Sequence, residues 1–248
     1  MEKWVVTAKK ADFQGIGRKY GIDPVIARII RNRDITGDEA IEEYLNGTLA
    51  DIPSWKLLKD IDKAVEIISG KIDAGTKMRI IGDYDIDGVT ATYILLKGFK
   101  RLGANVDTYI PDRVADGYGI HDHLIKKAME DGIDTIVTCD NGISASSQIT
   151  YAKELGMTVV VTDHHEVPFT DTEEGRTYIL PPADAIINPK QADCTYPNKN
   201  ICGAVVAMKL VFALYEKYRL PEEEKEDFLE PAAIATVGDI MDLQGENR

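Results

Sequence analysis

The chain has 248 residues, 44% hydrophobic and 29% charged, the balance of a globular protein able to bury one large core or two small ones. No apolar run approaches the roughly 20 residues of a membrane span, and the stretch from Met1 to Val6 lacks the basic-then-apolar order of a signal peptide. A net charge of −13 argues against a broad basic face for nucleic acid, and three cysteines without paired spacing, Cys139, Cys194 and Cys202, favour reduced thiols and a cytoplasmic setting.

The first 75 residues read as a helical accessory segment. Val25, Ile26, Ile29 and Ile30 recur at helical spacing. Thr36 is a candidate N-cap with Glu39 three residues on, Pro53 breaks the chain, and Asp62 to Ile72 forms a further amphipathic helix ended by Gly75. From Lys77 onward β-rich runs alternate with helical patterns, which predicts an α/β fold: a mostly parallel sheet flanked by helices, with a helical N-terminal lead-in. The predicted strands are 78–83, 105–110, 133–139, 157–162 and 184–188; the predicted helices are 89–102, 121–131, 144–155, 202–218 and 222–237. The proline-rich, acidic stretch between the last two strands reads as loop, and Gln244 to Arg248 as a linker within a longer protein.

Four acidic clusters punctuate this pattern: Asp83-Tyr84-Asp85-Ile86-Asp87, Asp140-Asn141, Asp163-His164-His165 and Asp239-Ile240-Met241-Asp242. Three of them close predicted strands, and in an open α/β sheet ligands bind outside the carboxyl ends of the strands. If Asp85, Asp87, Asp140 and Asp239 converge to about 5 Å, each pair repels by about 3 kcal/mol at an effective dielectric near 20. Divalent cations remove that penalty. Aspartates with one or two imidazoles suit Mn²⁺ or Mg²⁺ better than zinc, for which no cysteine pair or helical HExxH is present. Asp85 and Asp87, two apart, share a face if they lie on a strand. A carboxylate shared between two ions is the usual arrangement for displacement at phosphorus. His121 and His123 read as the start of a surface helix. Arg113 sits past a strand end, where either a solvated charge or a phosphate contact fits.

These motifs, Asp85-Ile86-Asp87-Gly88, Asp140-Asn141-Gly142, Asp163-His164-His165 and Val237-Gly238-Asp239, closely resemble the four motifs of the DHH phosphoesterase superfamily. Within it the chain resembles the RecJ type, the single-strand-specific 5′→3′ DNA exonucleases. That choice rests on Gly82-Asp83-Tyr84-Asp85, the loop Asp116-Gly117-Tyr118-Gly119, Ile187-Asn188-Pro189-Lys190 and the glycine-led helix from Gly203. The resemblance implies a catalytic domain at 76–248 after the accessory segment 1–75. It implies two ions, Mn²⁺ or Mg²⁺, held by Asp85, Asp87, Asp140, His164 and Asp239. Asp140 is the implied bridge and Asp83 a further ligand or a supporting carboxylate. Asp163 would orient an imidazole, His165 would contact the scissile phosphate, and Arg113 is a weaker candidate for the same contact. The implied substrate is single-stranded DNA in repair and recombination, with helicase or single-strand-binding partners. Family members carry a further domain, and nuclease members an oligonucleotide-binding module, neither of which is in this sequence. The alternative is a superfamily phosphoesterase acting on short oligonucleotides or cyclic dinucleotides.

Overall fold

Two aspartates start the N-terminal helices. Asp12 accepts the N–H of Gly15 and opens α1 (Phe13–Tyr20), and Asp23 accepts that of Val25 and opens α2 (Pro24–Asn32), with Pro24 at the first helical position. α3 (Asp38–Asn46) starts without the expected Thr36 cap: Gly37 occupies the cap position and no side chain bonds there. The structure is a computed structural model that describes residues 3, 9–117, 119–172 and 175–248. Tyr118 and most residues before Lys9, including all but Lys3 of those read above against a signal peptide, lie outside the described residues.

The chain forms two compact units, one comprising Met1–Ile52 with Gln244–Glu246 and Arg248, the other Pro53–Leu243 with Asn247. α4 (Ile61–Asp73), assigned from the sequence to the accessory segment, belongs to the second unit. Its face of Ile61, Ala64, Val65, Ile68 and Ile72 is buried in that unit's core, which is the reason the division falls before it and not after it.

In the second unit the apolar runs become β1 (Met78–Ile81), β2 (Val106–Tyr109), β3 (Thr135–Cys139) and β4 (Thr158–Thr162). The stretch read as loop contains an exposed antiparallel hairpin, β5 (Phe169–Thr172) and β6 (Gly175–Tyr178), before β7 (Ala185–Ile187). The main sheet is all parallel in the order β2-β1-β3-β4-β7. Alternate residues feed opposite cores, as strand periodicity requires. Met78, Ile80, Val137, Val160 and Ile187 pack on one side, while Ile81, Ile136, Val159, Val161 and Ile186 pack on the other.

The first side is covered by α4, α5 (Ile86–Arg101) and α8 (Gly203–Lys217), the second by α6 (Asp122–Glu130) and α7 (Ser146–Glu154). α5 and α8 lie so close that a Cβ at Gly98 would sit 2.6 Å from Val211 Cγ2. The predicted helix 222–237 is split: a 3₁₀ stretch, Glu222–Phe228, leads into α9 (Leu229–Gly238). Four of its first five residues are acidic, and Lys225 bonds Glu222 in the tighter turn. Among the described residues no helix is long and apolar enough to cross a membrane, and all three cysteines are buried and free.

Candidate metal centre

The chain leaves β1 toward β2 on one side and reaches β3 on the other, so the order of the sheet reverses between β1 and β3. A crevice at such a switch point is the usual ligand site of a doubly wound sheet. Asn141 pins the two strand ends together, its Nδ2 donating to the carbonyls of Ile81 at 3.3 Å and Cys139 at 3.1 Å. Every acidic cluster but one follows a strand that ends here; the fourth follows α9.

β1 ends at Ile81, earlier than predicted, and α5 starts at Ile86, earlier than predicted. Asp85 is therefore a helix N-cap, accepting the N–H of Gly88 at 2.9 Å, and Asp87 lies in the first helical turn. The expectation that both face one side of a strand fails, because a helix turns about 100° per residue and sends the pair apart. Asp85 is exposed and Asp87 is fully buried. Asp87 has a second partner that the sequence did not reveal. Its Oδ2 accepts the N–H of Gly203 at 2.5 Å and its Oδ1 that of Ala204 at 2.8 Å, so the carboxylate also caps α8.

Asp140 follows β3 with φ of 58°, a left-handed backbone that aspartate tolerates better than most residues. Its N–H donates to Thr162 O, which ties it to the end of β4. There the turn is built around buried Asp163. One carboxylate oxygen accepts Ile143 N at 2.9 Å; the other accepts His164 N at 2.7 Å and His165 Nδ1 at 2.7 Å. A carboxylate can only accept, so the proton of His165 is held on Nδ1. Asn188, buried just after β7, donates to His165 O at 3.0 Å.

His164 is the hub. Its Nε2 lies 3.1 Å from Asp140 Oδ1, 3.6 Å from Asp87 Oδ2 and 3.7 Å from Asp239 Oδ2. Three overlapping triads have donor atoms all within 4.8 Å of one another: Asp140, His164 and His165; Asp87, His164 and Asp239; and Asp83, Asp85 and Asp140. Asp140 and His164 each belong to two of them. Asp83 Oδ1, Asp140 Oδ1, Asp239 Oδ2 and His164 Nδ1 are buried without a hydrogen-bond partner. Buried polar atoms are ordinarily paired, so the three orphaned carboxylate oxygens, beside His164 Nε2, fit hard divalent cations.

The electrostatics agree. Burial, and then the charges of Asp87, Asp163, Asp85 and Asp239, push the Asp140 carboxyl up to about 11. Burial and then Asp87 raise Asp239; burial raises Asp83, with Asp85 adding to it. Asp239 also caps the C-terminus of α9, where the helix dipole disfavours a carboxylate. Burial lowers His164 and keeps its ring neutral, the form that ligates metals. His165 moves the other way because Asp163 accepts its hydrogen bond. Asp163 is held low: burial opposes ionisation, but His165 and the N–H of Ile143 outweigh it.

The structure thus gathers Asp83, Asp85, Asp87, Asp140, Asp163, His164, His165 and Asp239. Arg113 stays outside in an exposed loop, its guanidinium 5.3 Å from the Tyr84 ring centroid, where its charge favours ionised Asp83. His121 caps α6 through its backbone and His123 bonds Asp116, both away from the triads; Asp242 is exposed. Lys190, quoted above only as part of a motif, pairs with Glu166 at 3.0 Å and its charge reaches His165. Gly203 and Asn188 carried no local signal for their roles, since both act through tertiary contacts.

Fold and site together define a class: a parallel α/β domain with an acidic, histidine-containing metal site at the switch point of its sheet. Residues 77–236 match the family model described as the DHH family, N-terminal domain, and the chain belongs to the DHH family. It is similar to the single-stranded-DNA-specific exonuclease RecJ of Bacillus subtilis, 36% identical over 247 residues, covering 99% of this chain and 30% of that protein. The Escherichia coli RecJ is 34% identical over 237 residues, covering 92% of this chain and 39% of its own length. The chain therefore spans between 30% and 39% of the length of these relatives. Among solved structures, RecJ of Thermus thermophilus in complex with Mn²⁺ superposes with a TM-score of 0.73 at 29% identity, covering 95% of this chain and 31% of that one.

Proposed function

We propose that this chain is the catalytic part of a RecJ-type exonuclease, hydrolysing phosphodiester bonds of single-stranded DNA from the 5′ end in repair and recombination. The single observation behind the chemistry is the set of triads sharing Asp140 and His164 around buried donor atoms that lack partners. The substrate class draws on the similarity to RecJ proteins, which act on single-stranded DNA. The catalytic domain is taken as the sequence-read 76–248 extended back to include α4, which shares its core, and the accessory segment is shortened to the residues up to Ile52. Cytoplasmic location and helicase or single-strand-binding partners belong to the same reading.

Asp85, Asp87, Asp140, His164 and Asp239 would hold two ions, Mn²⁺ or Mg²⁺, with Asp140 between them and Asp83 as a further ligand or support. When bound, such ions polarise phosphoryl oxygens and lower the pKa of a coordinated water. The protein's own groups do the rest. Asp163 fixes the His165 ring through Nδ1 and so orients the imidazole that would contact the scissile phosphate. The raised pKa of His165 favours the protonated ring, which donates to a phosphoryl oxygen. Arg113, on its loop beside Tyr84, adds positive charge on the Asp83 side. Asp87 holds the start of α8 against the site and limits how far the cluster can spread.

The test is Mn²⁺-dependent release of mononucleotides from single strands labelled at either end. Release from the 5′ end, lost in His165→Ala and in Asp140→Asn, is expected. Intact long strands together with cleaved dinucleotides would transfer the assignment to a short-oligonucleotide phosphoesterase.

A further inference from the structure

The overall charge of −13 conceals a local excess of the opposite sign. From Lys9 to Arg33 the sequence carries seven basic residues against two acidic ones, and both acids serve as the N-caps of α1 and α2. Four of the seven have partners nearby. Lys9 and Arg31 pair with Asp34, Lys19 pairs with Asp38, and Arg33 bonds the Tyr44 hydroxyl. Lys10, Arg18 and Arg28 are exposed and form no ion pair with a described residue.

Those three are grouped by the chain: Lys10 directly precedes Ala11, which lines one cleft with Arg28. Arg28 lies over the Phe13 ring, 4.7 Å from its centroid, and so joins the start of α1 to α2. Phe13, Gln14, Val25 and Arg28 line a cleft of about 350 Å³ between the two helix starts. Arg18 is one turn along from Gln14 on the same face of α1, and Ile29 one turn along from Val25 on α2. Val25 and Ile29 are 64% and 47% exposed, so apolar surface lies beside the unpaired cations. Unpaired basic groups next to an aromatic ring and an apolar cleft are the parts from which single-strand sites are made: phosphates meet the cations and unstacked bases meet the ring and aliphatic surface.

We propose that the α1–α2 pair binds single-stranded nucleic acid, with backbone phosphates on Lys10, Arg18 and Arg28 and one base in the Phe13–Val25 cleft. An acidic polypeptide would satisfy the charges, but its backbone does not present a planar ring with each anionic group as a single strand does. The inference adds a second point of grip for the substrate class of the proposed function and rests on that reading only for the choice of polymer. It also revises the expectation drawn from net charge, which averaged this segment with a strongly acidic remainder.

The test is fluorescence anisotropy of the whole chain with a labelled oligothymidylate, in chelator so that hydrolysis cannot occur, over a range of salt. The Lys10→Gln, Arg18→Gln, Arg28→Gln triple variant should bind at least about tenfold more weakly at low salt. Its plot of log K against log salt should be shallower by about 2, the slope expected for three phosphate contacts on a single strand. A triple of equal charge change at the paired positions, Lys9→Gln, Lys19→Gln, Arg31→Gln, should lose much less. Arg28→Lys should keep the slope and lose affinity, because it keeps the charge and gives up the stack on Phe13. Equal losses from both triples, an unchanged slope, or displacement by polyglutamate as effective as by DNA would each overturn the proposal. Cleavage in Mn²⁺ is read separately. Binding through α1–α2 without cleavage refutes the exonuclease reading alone, and cleavage with binding untouched by the first triple refutes this inference alone.

Discussion

Gly203 is where the seating of a helix and the geometry of the site meet. A Cβ there would lie 2.8 Å from Asp140 Cβ, 2.9 Å from Asp140 Oδ1 and 3.0 Å from Asp87 Oδ2. Carbon atoms prefer separations near 3.5–4.0 Å, so Gly203→Ala forces a displacement of about 0.7 Å or more. Neither side yields easily, since the Gly203 N–H is bonded to Asp87 and the Asp140 N–H to Thr162. Overpacking of this kind costs about 1–3 kcal/mol, and misplacing groups that support a metal site typically lowers affinity by about 10–100-fold. Gly98→Ala serves as the comparison, because its Cβ meets Val211 at 2.6 Å in the α5–α8 interface and touches no carboxylate. Calorimetric titration with Mn²⁺ and thermal unfolding in chelator separate the two effects. Both variants should unfold at lower temperature, and only Gly203→Ala should lose Mn²⁺ affinity. Wild-type affinity in Gly203→Ala would refute the argument that this glycine exists to admit the carboxylates.

In chelator, Asp140→Asn should be more thermostable than wild type, since the neutral amide avoids the cost of burying a carboxyl that must take up a proton to stay in the crowded cluster, and should gain less on adding Mn²⁺. Wild type should gain about 2.7 kcal/mol at a hundred times the dissociation constant, and an equal gain in Asp140→Asn and Asp242→Asn would count against a shared role for Asp140. Gly70→Ala, at an exposed position within α4 where a Cβ meets nothing within 4 Å, should stabilise the protein by about 0.5–1 kcal/mol in denaturant titrations. The Asp134 carboxyl is held below its ordinary 3.8: burial opposes this, and the bonds from Lys71 and Thr135 outweigh it. Its contribution is therefore complete above about pH 4 and fades as pH falls through the lowered folded value. Asp134→Asn should flatten the acid limb of stability against pH by a modest amount, as the pair is partly screened by solvent; an unchanged acid limb would remove the pair from the account.

The central strands could be read from the sequence because each is a short β-rich run buried on both faces and bounded by glycine or aspartate. Their carboxyl-end clusters followed directly, since parallel strands end on one edge. The hairpin at 169–178 could not be read, because Phe169-Thr170-Asp171-Thr172 is exposed throughout and shows no inward-facing alternation. α5 starts three residues before the predicted 89, because the Gly88 N–H is the donor that Asp85 caps. The bond from Asp87 to the start of α8 spans 116 residues and leaves no local trace in either segment. The basic character of α1 and α2 was legible all along but vanished when charge was summed over the whole chain.

The backbone at Asp140 has a consequence for how this lineage can change. A left-handed φ of 58° without glycine favours aspartate and asparagine above other side chains. Glutamate, the usual conservative exchange for a carboxylate, is poorly suited to that conformation and would carry its oxygens a bond further out. The replacement the backbone accepts most readily is the isosteric amide, which keeps the shape of the turn and gives up the charge. A descendant could thus give up the metal site in a single codon step with its architecture intact, and survive as a scaffold of unaltered outline.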